Sequence, residues 1–510
     1  LVRKELIRPG RSSLAGDDAF RFRHLLIRDA AYDSMSKEHR ADLHERFADW
    51  LERVAPGRAT EFEEIIGYHL EQAVRYRREL GSTDPGASSL ATRAAGRLSS
   101  AAERALLRGD RPAAANLVRR GVELLDRGSA ARLVGLPFLV EALLESGDLS
   151  GAGQTIADGV EEATAAGSRG VEARLLILGV MLSLTTDPTR SQAEAAEEID
   201  GIRAELEREG DEAGAAFASV RLAQVEFWLG RARKADEAAR AAIGFARRTG
   251  DRRLELAGIQ TLLGPLNWGP FPVEESLRRC DEAAEWVSGH RILEAGLATI
   301  RGYLLTLIGR FDEGRDSFQR GLDMRQDLGV SEIGLAIAGQ VGVTTLAIAG
   351  DVEGALAIGR EGIESLQSMG ETGFLSTSAG FMADVLVGAG RTAEAEEMVE
   401  LCERSAGPDD FSSQALWRRV RARLLVHAGD VERAERLARE DVALVDPTDY
   451  TIERAEARRG LADVLAAAGR VGEALGELRQ AVALYGDKGA TVLEERARMR
   501  LAELEAASPG

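Results

Sequence analysis

Cysteine is almost missing from this chain: Cys280 and Cys402 are the only two in 510 residues. They lie far apart and outside any CxxC spacing, which excludes a disulfide framework and a thiolate metal site. A reducing cytoplasmic setting is therefore expected. Proline is also scarce (12) beside 55 glycines, and aromatics make up only 5%. That balance suits many helices stopped by glycine. A basic excess is absent as well. The formal net charge is −19, which argues against nonspecific nucleic-acid binding because releasing counterions needs a basic face.

No run reads as a membrane span. Ile333–Gly350 carries no charge, yet it holds four glycines, a Gln and two Thr, so a buried helix is expected and no membrane partner. No signal peptide is in view, and a start at Leu1 suggests a piece of something longer. Catalytic motifs are missing too: neither HExxH nor GxSxG occurs, and no two His stand four apart. His39 and His44 are five apart and fall on different helix faces, so no metal site is expected. The many carboxylates mark solvated helix faces. No catalytic residue, metal or cofactor is expected within this segment, and the segment is expected not to be an enzyme.

What the chain does contain is a phrase that returns: "AGDVEGA" from Ala349, "AGRTAEA" from Ala389, "AGDVERA" from Ala428, "AGRVGEA" from Ala468. The turn glycine stands at Gly109, Gly147, Gly230, Gly309, Gly350, Gly390, Gly429 and Gly469. The spacing is about forty residues, with two double gaps whose hidden turns are expected near Thr185–Arg190 and Asn267–Ser276. Each column has a physical reason. Gly accepts the left-handed backbone that stops a helix. The Asp that follows it in four units can cap the next helix, facing the positive end of its dipole. The other four units carry Arg231, Arg310, Arg391 or Arg470 instead. Arg cannot cap, so there a solvent-facing or inter-repeat contact is expected. Small residues five after and seven before the Gly, such as Ala474 and Ala462, let two helices approach closely, and a Leu four before fills the seam. The phrase is a hinge between packed helices.

This hinge resembles the Gly-Asp-x-x-x-Ala turn of tetratricopeptide (TPR) repeats, and "GRVGEALGELRQAVALY" is similar to their second helix. The period departs from that family, about 40 against its usual 34. The resemblance implies an all-α, TPR-like helical-hairpin solenoid, a right-handed superhelix with a small N-terminal winged-helix remnant. Residues 1–85 are read as the end of a winged-helix region with linking helices, 86–488 as about ten hairpins, and 489–510 as a capping helix and tail.

The N-terminal segment is distinct. Its charge is near balance, and four of the six His (His24, His39, His44, His69) fall within the first 70 residues. "ELIRP" and "AFRFRH" suggest a short β-hairpin. A helix from about His24 to Tyr32 should follow, then one burying Leu43, Phe47, Trp50, Leu51 and Val54. A third carries His69 in its apolar stripe as a satisfied core histidine. The phrases "FRFRHLLIRDAAYDSM", "RADLHERFADWLE" and "GYHLEQA" are similar to the winged-helix tail that follows the P-loop ATPase module of large bacterial signalling ATPases (STAND/AAA type). Some of that group carry a class III adenylate/guanylate cyclase domain ahead of the ATPase and TPR-like repeats behind it. No GxxxxGK[ST] loop and no cyclase carboxylate motif occurs here. The resemblance therefore implies that ATP/ADP and Mg belong to upstream modules, and that the parent rather than this segment is the enzyme.

Three residues stand out as site candidates. His24 opens a polar stripe with Arg28 and Tyr32. Because a winged-helix His contacts nucleotide phosphates in related ATPase switches, the resemblance implies nucleotide sensing by His24 in the intact parent, with capping or packing as the alternative. Pro265, Pro270 and Pro272 should break a helix, leaving Trp268 and Phe271 either displayed to a partner or packed in a degenerate repeat. A solenoid leaves its concave surface free. The expected function is thus a non-catalytic sensor that binds a protein or peptide there and regulates the upstream ATPase in cis. A passive assembly scaffold and an ATPase-type transcriptional regulator are the rivals.

Overall fold

The computed structural model describes residues 6–10, 19–54, 59–81, 85–107, 110–187, 190–328, 332–368 and 373–507. The chain forms two compact units, Leu1–Leu182 and Ser183–Gly510.

The first unit opens with an antiparallel pair, β1 (Ile7–Gly10) and β2 (Ala19–Phe22), in the register Ile7 to Phe22. Helices follow: α1 (Leu25–Asp33), α2 (Lys37–Val54), α3 (Ala59–Glu79) and α4 (Pro85–Leu107). Then come α5 (Arg111–Glu123), α6 (Ala130–Ser146), α7 (Leu149–Ala165) and α8 (Arg169–Thr186), within which the unit ends. From α2 to α7 each helix packs on the next. The buried face of α2 shares Leu51 with the expected one but is otherwise turned from it. Ala41, His44, Ala48 and Leu51 are buried, whereas Leu43, Phe47 and Val54 remain 39%, 39% and 41% exposed. The two alanines let α3 lie close, and that contact selects the face over the bulkier apolar stripe.

The second unit holds α9 (Gln192–Glu209), α10 (Glu212–Trp228), α11 (Ala232–Thr249), α12 (Arg252–Trp268) and α13 (Val273–Trp286). It continues with α14 (Arg291–Leu307), α15 (Phe311–Asp327), α16 (Glu332–Ile348), α17 (Val352–Ser368) and α18 (Gly373–Gly388). Next are α19 (Thr392–Ser405), α20 (Phe411–Ala428), α21 (Val431–Val445), α22 (Thr451–Ala467), α23 (Val471–Lys488) and α24 (Thr491–Ala507). From α10 to α23 consecutive helices pair into hairpins, and the first helix of each hairpin also packs on the first helix of the next. The first helices thus form an inner row, which explains why α10 and α14 are buried on nearly every side. No helix among the described residues is long and apolar enough to cross a membrane. Within the uncharged stretch, Val341, Val343, Thr345 and Ile348 are buried; the side chains of residues 333–338 lie outside the described set.

The hinges behave as their columns suggest. Gly147, Gly230, Gly309, Gly350, Gly390, Gly429 and Gly469 all take positive φ; the Gly109 turn lies outside the described residues. Asp148, Asp351 and Asp430 accept the backbone N–H three residues on, at 2.9, 3.0 and 3.2 Å. The Arg units use a different bond. Arg391 and Arg470 clasp Glu394 and Glu473 within their own helix and reach back to Glu353 and Glu435 of the preceding hairpin, at 3.3 and 2.5 Å. They are inter-repeat staples. Where two glycines face each other the helices come closest: a methyl on Gly302 would sit 2.8 Å from the Gly314 carbonyl oxygen.

The second unit also closes on itself. The α21–α22 loop meets the α10–α11 hinge: Asp449 N–H donates to the Gly230 carbonyl (2.9 Å), and Tyr450 Oη donates to the Phe227 carbonyl (2.8 Å). The Asp449 carboxylate accepts from Ala232 N–H (2.7 Å) and Arg233 N–H (2.9 Å). It thereby caps α11, whose own N-cap position is Arg231 and makes no capping bond. Gly230 is required there twice over, by φ +70° and because a Cβ would lie 2.6 Å from Thr448. Lys488 Nζ donates to the Gly269 carbonyl (2.6 Å), and α24 packs on α14. Instead of only covering the end of the stack, α24 crosses to the inner row.

Two substitutions test this packing. Asp449→Ala should cost about 1–2 kcal/mol and speed amide exchange at Ala232 and Arg233; unchanged exchange there would contradict the capping. Gly302→Ala should lower the thermal midpoint through overpacking of about 1–3 kcal/mol. Gly472→Ala, where nothing lies within 4 Å of the new methyl, should leave it unchanged or slightly raised.

Candidate functional site

Closure of the second unit leaves a lumen of about 500 Å³ between the inner-row helices and α23–α24. One wall is aromatic. Trp268, the last residue of α12, stacks on Phe381 of α18 with centroids 5.7 Å apart and planes 13° apart, and lies 6.1 Å from Tyr303 of α14. Tyr303 is 1% exposed, and its buried hydroxyl has no hydrogen-bond partner among the described residues.

Other lining residues are ionic. Arg419 of α20 donates to Asp441 (2.9 Å) and to Glu453 (3.0 Å), all three buried. Glu456 accepts from Arg459 and from the Tyr485 hydroxyl, each at 2.5 Å. Burial opposes the charge on Glu456, but Arg459, Arg419 and Tyr485 outweigh it and hold the carboxyl down at about 2. Burial dominates at Asp441 and pushes it up to about 6 despite Arg419. Nearer the lumen's rim, Arg423 pairs with Asp384 (2.5 Å) and Arg500 with Asp463 (3.1 Å). Arg496 of α24 differs: it donates to the Ile348 carbonyl (2.7 Å) and pairs with no carboxylate among the described residues. A buried ionic network is costly unless each member is satisfied, and this one is held by direct bonds.

The Cys280 and Cys402 thiols are buried, and burial pushes each up to about 12, so neither is a ready nucleophile. Among the described residues no group of three His, Cys, Asp or Glu could hold a metal ion.

Of the residues singled out from sequence, Trp268 lines this lumen. Phe271 does not: it is 5% exposed, with the Arg279 guanidinium 4.0 Å from its ring centroid. Pro265 lies inside α12 rather than breaking it, and Pro272 is the N-cap of α13. His24 is the exposed N-cap of α1, without a side-chain capping bond. Its expected stripe divides, since Arg28 turns to Asp29 while Tyr32 turns inward.

Inward, Tyr32 joins a cluster that sequence reasoning grasped only at His69. Its hydroxyl contacts His44 Nε2 (2.8 Å) and the Tyr76 hydroxyl (3.0 Å), and His44 Nδ1 meets His69 Nδ1 at 2.7 Å. The cluster adjoins an open cavity of about 1000 Å³ lined by Phe47 and Trp50. Two imidazoles sharing one contact need a donor and an acceptor, so they cannot both be charged. Burial, aided by His44, takes His69 down to about 4; burial and Arg75 lower His44. With folded values below the unfolded value, stability from this cluster is complete above pH 6.5 and is lost as pH falls towards 4. We expect a loss of about 1–2 kcal/mol for this pair, His44 being buried and His69 partly so, measured as the fall in the first unit's thermal midpoint across that window. His69→Leu should flatten it.

No protein-family model and no curated protein sequence matches the chain. Solved structures do. A Rap protein complexed with competence and sporulation factor is 11% identical with TM-score 0.52, covering 74% of this chain and all of that one. Cut9–Hcn1 of the APC/C is 13% identical, with TM-score 0.47 over 94% of this chain and 95% of that one. A tetratricopeptide repeat protein from Parabacteroides merdae is 15% identical, with TM-score 0.32 over 59% of this chain and 98% of that one. At these identities the likeness speaks for fold: the chain is an all-α, TPR-like helical-hairpin solenoid with two short N-terminal strands.

Proposed function

We propose that this chain is the non-catalytic sensor and protein-interaction region of a multidomain ATP-dependent signalling protein. The lumen of the second unit takes a peptide or protein segment, and its occupancy regulates an upstream ATPase and adenylate/guanylate cyclase module in the cytoplasm. ATP/ADP and Mg are bound by those modules. The observation carrying the binding role is the lumen itself, which joins an aromatic wall and a buried hydroxyl, unpartnered among the described residues, to a set of fixed charges. The Rap neighbour was solved in complex with competence and sporulation factor, and the N-terminal phrases supply the link to a signalling ATPase. A ligand moves the upstream equilibrium only by its difference in affinity for two states of the parent.

The reading frame upstream of Leu1 should encode a GxxxxGK[ST] loop followed by a winged-helix module. In the intact protein, Trp268→Leu should change the nucleotide-turnover rate about threefold or more, a free-energy difference of ~0.6 kcal/mol. A frame without the loop would remove the ATPase link, and an unaltered rate would remove the regulatory one.

A further inference from the structure

We infer that the lumen of the second unit binds a ligand made of one apolar, preferably aromatic group and one anionic head, with the apolar group against Trp268 and Phe381 and the head on Arg496. The inference rests on the reading of this unit as a ligand-binding scaffold and needs no upstream module.

The sign of the head follows from the pairing within the lumen. Arg419, Arg423, Arg459 and Arg500 are each matched to a carboxylate. An arriving cation would find no free carboxylate among these, and an arriving anion would have to break a pair. Arg496 is the exception, since its bond goes to a neutral carbonyl. A guanidinium so placed can turn part of its fork to a carboxylate or phosphate oxygen while keeping the carbonyl. The apolar part follows from the aromatic wall. The stacked pair of Trp268 and Phe381 offers a flat face to a further ring or branched side chain. Beside it Tyr303 also lines the lumen, with its hydroxyl buried and without a hydrogen-bond partner among the described residues. The size also fits, for about 500 Å³ lies within the range of pockets that hold small organic ligands or a few peptide side chains.

Binding would also act on closure. Trp268 ends α12 and Phe381 belongs to α18, whereas Arg496 belongs to α24. A ligand touching both the aromatic pair and Arg496 ties α24 to the inner row and stabilises the closed unit by mass action.

Two acid–amide probe pairs on the purified chain test this: indole-3-propionate with indole-3-propionamide, and acetyl-Ala-Phe with a free or an amidated carboxyl end. Titration calorimetry should show at least one acid binding about tenfold more tightly than its amide. Arg496→Gln should abolish that preference, and Arg496→Lys should keep part of it. Arg498→Gln, at an exposed residue paired with Glu494, should leave it intact. Preference in the indole pair alone would identify a small aromatic acid as the source; preference in the peptide pair would identify a chain terminus. Because Trp268→Leu could disturb folding, Trp268→Phe serves beside it and should retain binding. Equal affinity for acid and amide, a preference that survives Arg496→Gln, or no saturable binding of any probe below about 5 mM would overturn the inference.

Discussion

A helix that does not cap itself holds the second unit together. At Arg231 the repeat places a residue that cannot accept the free N–H groups of α11, and Asp449, far along the chain, supplies the missing acceptor. That contact, with the Tyr450 and Lys488 bonds, converts a row of hairpins into a closed ring of helices. The lumen exists because of it, and so does the position of Arg496 among the residues that line it. Hairpin packing provides most of the cohesion, but the long-range capping decides what that cohesion encloses.

The hinge columns were legible because each answers a local demand: left-handed backbone at Gly, a side-chain acceptor at Asp, clearance at Ala. The same logic located the exception without resolving it. Four Arg hinges lacked a cap; two proved to be staples between neighbouring hairpins, and one marked the closure. The receiving loop, "VDPTDYT", has no period that would connect it to Arg231. Closure depends on the accumulated rotation of many hairpins, which no column states, so the concave surface expected from sequence is found as a partly open lumen.

One face was misjudged. Amphipathic spacing identified the large apolar residues of α2 but not the side that α3 takes, and the alanines won because helix approach is limited by bulk. The prolines around Trp268 left display and packing both open; Pro265 is accommodated within α12, and Trp268 stacks on Phe381. His44 and His69 gave only a partial signal. One His on an apolar stripe reads as core, whereas two on separate helices disclose nothing of their shared contact.

The Lys488 ammonium is fully buried and reaches back 219 positions to the Gly269 carbonyl. Asp449 and Tyr450, like Lys488, come later in the chain than the backbone groups they bind. A ribosome therefore releases the receiving groups well before their partners are made. Whatever hairpins have formed by then, the ring cannot close until these three residues are made. Contacts of such sequence separation form slowly because loop closure comes first. Sealing is thus a late event of biosynthesis.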